Sequence, residues 1–199
     1  MVMRSSAFAL LLFALAACQT PVPLTTTPTF TTSPSLSVRN PSDVAVLPVE
    51  DGTAAGDAAR HLEYMRQVLA QNLPNRRYSP IATRIVDAAL KNEKPGRGET
   101  VLTPAFLKRV AGKSTEDATL AVRVERWDEG RLLSEKRVVF EFQAALVGSD
   151  GELLWSGSLV GDVKAGGMGA APRDRDQMAR SCAEIALSEL LNHLALRQP

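Results

Sequence analysis

The sequence is poor in the residues from which reactive centres and disulfide scaffolds are built. Of 199 residues two are Cys and two are His, and aromatics make up only 5%. Cys18 and Cys182 lie in dissimilar surroundings, so a disulfide-stapled fold is not expected. His61 and His193 are too few for the common zinc sites, and no metal or cofactor is assigned. Net charge is also missing, with 23 Lys plus Arg against 22 Asp plus Glu. Binding a phosphate backbone needs clustered basic residues, so no nucleic-acid partner is expected. No Gly-x-Ser-x-Gly elbow, P-loop or His-Glu-x-x-His helix occurs. The run Gly166-Gly-Met-Gly169 lacks the Lys-Ser or Lys-Thr of a phosphate cradle and reads as a loop. Glu50 and Asp51 stand where open α/β sheets bind ligands, but no partner residue can be placed beside them. No catalytic residue is assigned, and the chain is not expected to be an enzyme.

What is present begins with an address. Arg4 is followed by an apolar run from Ala7 to Ala17, too short to span a bilayer and suited to a signal peptide. The run ends in Leu15-Ala16-Ala17-Cys18, which resembles the lipobox of bacterial lipoproteins. That resemblance implies cleavage before Cys18, acylation of Cys18, and anchoring to a membrane through its lipid. The alternative is an ordinary secretory signal in which Cys18 is incidental. Gln19 in place of Asp implies, by the same resemblance, the outer membrane, with the domain facing the periplasm. Cleavage removes Arg4 and leaves 22 residues of each sign.

Residues 1–17 are thus expected to be a signal, 18–42 the lipidated Cys and a disordered Thr/Pro/Ser tether, and 43–199 one α/β domain. Five prolines between residues 19 and 42 favour extended backbone. Such a tether would reach ~75 Å if fully extended. The other reading of this segment is an amino-terminal strand packed on the domain.

Beyond residue 42 the texture is that of a fold. Asp43–Val49 is a short apolar run suited to a buried strand. Leu62, Met65, Leu69 and Leu73 share a helical face before Pro74 stops the helix. Arg77–Ile81 suits an edge strand because Pro80 cannot donate to a ladder. Ile85, Val86, Ala89 and Leu90 mark a second helix, and Thr103-Pro104 through Gly112 a third. Strands follow at Ala118–Glu125 and Val138–Leu146, then a hairpin at Asp150-Gly151 and a return strand from Glu152 to Val160. A final helix over 174–196 carries Ala179, Cys182, Ala183, Ala186, Leu190 and Leu194 on its apolar stripe. The expected fold is a mixed β-sheet of about five strands packed with helices, in the order β-α-β-α-α-β-β-β-α.

Three patches resemble the TolB amino-terminal-like domains. Val44-Ala-Val-Leu-Pro48 is similar to that group's first strand, Asp117–Val124 to an inner strand, and Asp150–Ser156 to its closing hairpin. The group includes the curli secretion lipoprotein and penicillin-binding-protein activator lipoproteins. The resemblance implies an accessory protein that docks onto, or helps assemble, an envelope protein complex for export, lipid transport or peptidoglycan synthesis. A self-associating ring, a homo-oligomer, is the second expectation, and a small-ligand receptor or hydrolase the third. The curli channel's long membrane hairpins have no counterpart in the short Arg126–Lys136 connection, which argues against a pore. Arg126, Trp127 and Trp155, near strand ends, are candidates for a partner surface because Trp and Arg dominate binding hot spots. Core capping is the other role for the two Trp residues. His61 and His193 are expected at the surface.

Overall fold

The computed structural model describes residues 24–165 and 174–199. Cys18 and the Gly166–Gly169 loop lie outside the described residues. The expected order runs unchanged through the molecule: β2 (Asp43–Val46), α2 (Leu62–Asn72), β4 (Ser79–Pro80), α3 (Thr83–Ala89), α4 (Pro104–Val110), β5 (Ala118–Asp128), β6 (Arg137–Gly148), β7 (Leu153–Lys164) and α6 (Arg175–Asn192). Added to it, besides the 3-10 turns Ala59–His61 and Leu73–Arg76, are β1 (Leu24–Thr32), α1 (Pro34–Arg39), β3 (Glu50–Asp51) and α5 (Leu132–Glu135). The fold is α/β on a seven-stranded mixed sheet, with β1-β7-β6-β5-β2-β4 in spatial order and β3 also paired to β5. The strands β4, β2 and β5 are parallel, and β5, β6, β7 and β1 run antiparallel.

β1 corrects the expectation of a tether over 18–42, because the domain already includes residue 24. β1 pairs with β7 along its whole length, from Leu24 opposite Val163 to Thr32 opposite Trp155. Its even-numbered residues face the same side as Trp155, Leu159 and Val163, so Phe30 lies flat on Trp155 at 4.9 Å between ring centroids. The Phe30 ring also stacks on His193, again at 4.9 Å. Gly157 and Gly161 stand opposite Phe30 and Thr26 on β7. A Cβ on Gly157 would lie 2.0 Å from the Thr29 carbonyl oxygen, so this close approach needs glycine. α1 then opens with Ser33 as N-cap and Pro34 in the first turn, and closes at Asn40 in the left-handed region.

Two apolar layers sandwich the sheet unequally. One face buries Leu120, Val122, Phe140, Phe142, Leu146 and Leu159 against α2 and α6. The stripe expected on α6 is fully buried there, Cys182 included. Among the described residues, the other face is covered over β2, β5 and the adjoining end of β6. There Val86 of α3 and Phe106, Leu107 and Val110 of α4 pack on Ala45, Leu47, Ala121, Ala145 and Val147. Arg66 of α2 is buried, donating to the Val46 carbonyl at 3.0 Å and pairing with Asp87 of α3 at 2.8 Å, so it bolts the two helical layers across the end of β2. No helix among the described residues is long and apolar enough to cross a membrane.

Candidate partner-binding surface

The two tryptophans are in the core, which corrects their assignment to a partner surface. Trp127 is 1% exposed and Trp155 is fully buried. The reason for Trp127 is a break in alternation. Leu120, Val122 and Val124 point into the α2–α6 layer, and continued alternation would send residue 127 to the opposite face. A β-bulge between Val124 and Arg126 resets the phase and turns Trp127 inward, against Phe142. Trp155 donates its indole N–H to the His193 carbonyl at 3.0 Å and lies beneath Phe30. Of the three residues only Arg126 is exposed, 3.4 Å from Asp128.

His61 is buried rather than at the surface, because it belongs to a polar cluster around Glu129. Glu129 Oε1 accepts from the Trp127 indole at 2.9 Å and lies 2.8 Å from His61 Nε2. Oε2 accepts from Arg175 Nε at 2.9 Å and from the Arg60 guanidinium. Burial works to raise the carboxyl pKa, but the donors Trp127, Arg175 and His61 outweigh it and hold Glu129 below its ordinary value. An ionised carboxylate with every acceptor site filled has no proton to give and no free oxygen for a ligand. The polar cleft over it, bounded by Gly56, Asp57, Asp128 and Gly130, is therefore a fastening between the starts of α2 and α6 and the end of β5. Periodicity within β5 does not register this cluster, and in the sequence Arg126–Glu129 looks like an interface rim.

Other groups singled out are likewise absorbed by structure. Glu50 accepts the Val101 amide at 2.6 Å, and Asp51 Oδ1 accepts the Thr53 amide at 2.9 Å, so the pair shapes the turns after β2. His193, partly buried, stacks on Phe30 and lies 3.4 Å from Glu189. Burial, then the charges of Glu129 and Asp162, push the Cys182 thiol up to about 12. Among the described residues no group of three or more His, Cys, Asp or Glu could hold a metal ion.

Among the described residues nothing covers the outer face of β1, β7 and β6. Thr25, Thr27, Thr29 and Thr31 of β1 are exposed there, beside Ser156, Ser158 and Val160 of β7 and Glu141 and Gln143 of β6. Where this face meets α4 it deepens into a groove of about 420 Å³. This uncovered face is the docking candidate that the fold presents.

No family model matches the chain, and no curated protein does. Solved structures do. A single-substitution form of the PelC dodecamer from Paraburkholderia phytofirmans superposes with a TM-score of 0.50 at 15% identity, over 83% of this chain and 96% of that one. Lipoprotein GNA1162 from Neisseria meningitidis gives 0.47 at 18% identity, over 78% and 100% of the two chains. The LpoB C-terminal domain from Salmonella enterica gives 0.39 at 18% identity, over 62% and 82%. The chain has the fold of a PelC subunit.

Proposed function

We propose that the protein is a lipid-anchored accessory component of a bacterial envelope assembly. Cys18 carries the lipid, Gln19 directs the chain to the outer membrane, and the domain docks in the periplasm onto a larger complex. The observation that carries this reading is the uncovered β1-β7-β6 face on a fold shared with an assembly-forming protein. The buried polar groups around Glu129 serve the fold, and the reading rests on the exposed surface instead. Metabolic labelling with a palmitate analogue is expected to mark the full chain and to miss Cys18→Ala. A photo-crosslinker at Thr29 or Thr31 is expected to yield a heavier adduct in intact envelopes. Monomer alone from both positions would refute docking through this face.

A second reading, a ring of identical subunits, is favoured by the dodecameric state of the PelC form. Sedimentation velocity decides it, on residues 24–199 rather than 43–199, because removing β1 would bare the edge of β7. A monomer at high concentration rules the ring out.

A further inference from the structure

We propose that the groove between α4 and the outer face of the sheet binds one long-chain fatty acid, its acyl chain in the groove and its carboxylate at Lys108. The walls come from Leu102, Pro104 and Leu107 on one side and from Ala145 and Val147 of β6 beneath. Leu153, half-exposed, stands at the mouth with Gly151. Small residues of β7, Ser156 to Ser158, keep the floor low. Every lining residue is uncharged, in a chain where 23% of residues carry charge. At about 420 Å³ the groove falls in the lower part of the ~300–1,000 Å³ usual for small-ligand sites, which suits a single chain rather than a two-chain phospholipid.

The groove's chemistry discriminates among occupants. An added peptide strand seeks unpaired backbone at a sheet edge, whereas the floor's backbone is already paired within β6, β7 and β1. No aromatic ring lines the groove, so a sugar would find no stacking platform. Of the charged groups around the mouth, all but one are already paired. Asp150 and Glu152 are both engaged by Arg39, and Arg109 by Glu93 and Glu99. Lys108, exposed and next in chain to Leu107, makes no ion pair among the described residues. It lies against the mouth, its Cγ 3.0 Å from the place a Cβ on Gly151 would occupy. An apolar slot with the stem of an exposed, unpaired lysine beside its entrance is complementary to an anionic single-chain amphiphile, whose carboxylate the flexible Lys108 side chain can reach.

The test uses the full chain carrying Cys18→Ser, which bears no acyl group of its own, so its outcome is independent of the lipid anchor. Titration calorimetry with octanoate, decanoate and palmitate is expected to show saturable one-to-one binding that tightens with length, by up to about fourfold per methylene. Ser156→Trp, which fills the floor from the solvent side, should weaken palmitate at least tenfold. Lys108→Glu should weaken it several-fold and abolish its preference over hexadecyltrimethylammonium. Unchanged melting temperatures will show that both variants are folded; if Ser156→Trp is not, Ser158→Leu takes its place. Absence of saturable binding overturns the proposal, as does equal affinity for the cationic amphiphile or indifference to the floor substitution. Binding only to phosphatidylglycerol vesicles overturns it too. So does an oligomer that Ser156→Trp disperses while palmitate fails to bind, which would make the groove a contact between copies.

Discussion

A carboxylate with four polar partners in a nearly dry site contributes most to stability when it is ionised. Glu129 is such a group, and its partners Arg60 and Arg175 remain about half-exposed, which screens part of the attraction. Removing one member of a fully buried pair costs about 3–5 kcal/mol, so a screened cluster should lose about 2 kcal/mol in Glu129→Gln. The pH dependence has a definite sign. The folded pKa lies below the unfolded one, so the contribution is complete above about 4.3 and is lost as pH falls through the folded value. Urea unfolding between pH 3 and 7 is expected to show a steeper acid loss for the parent chain than for Glu129→Gln. Equal slopes would remove Glu129 from this role. Cys182 gives a second residue-scale expectation, because its buried thiol, 3.7 Å from the Val163 carbonyl, is held protonated. In a Cys18→Ser chain, iodoacetamide should label Cys182 at pH 8 only as denaturant opens the α6 layer. Fast labelling in buffer would contradict its burial.

At the scale of elements the least expected piece is β1. Its attachment rests on a ring and a gap: Phe30 over Trp155 and His193, with Gly157 making room. Phe30→Ala should cost about 2 kcal/mol, below the ~3–5 kcal/mol of a fully buried Phe, since this ring is only partly covered. Gly157→Val should act more strongly by levering β1 off β7. Hydrogen exchange is the measure, with β1 amides expected to lose protection in both variants while β5 amides keep theirs. Uniform loss would mean that β1 is integral to global stability rather than a separately attached edge. This strand was hidden in the sequence because threonines and Pro28 carry its alternation, and Leu24 and Phe30 are its only large apolar residues. The signal that could have found it lies in its partner strand, where glycines at 157 and 161 mark a place where another backbone comes close, a sign the reading of that strand as Glu152 to Val160 did not use. The rest of the framework could be read directly. Pro74, Thr103-Pro104 and Asp150-Gly151 punctuate it, and the helix and strand periods agree with the observed faces except in α3, where Val86 is buried but Ile85 is exposed. Trp127 and His61 escaped because a bulge and a buried carboxylate act across elements, and periodicity within one element cannot register either.

For the whole molecule, the added strand changes the distance from membrane to domain. With β1 in the fold, only residues 18–23 separate the proposed anchor from Leu24, a reach of at most ~20 Å instead of the ~75 Å of the expected tether. The sheet then acquires an orientation. Leu24 pairs with Val163 at one end of β7, whereas the groove mouth at Gly151 and Leu153 lies at the other, about ten residues or ~34 Å along the strand. A chain held at Cys18 should therefore present its Leu24 end to the lipid and its α4 end to the periplasm. Two fluorescent reporters test this in the acylated protein on vesicles containing a head-group quencher, one on Thr25→Cys and one on Lys108→Cys. Both positions are exposed, and buried Cys182 does not compete for the label. Strong quenching at 25 with little at 108 is expected. Equal quenching would mean that the domain lies flat on the bilayer, with its outer face unavailable to a periplasmic partner.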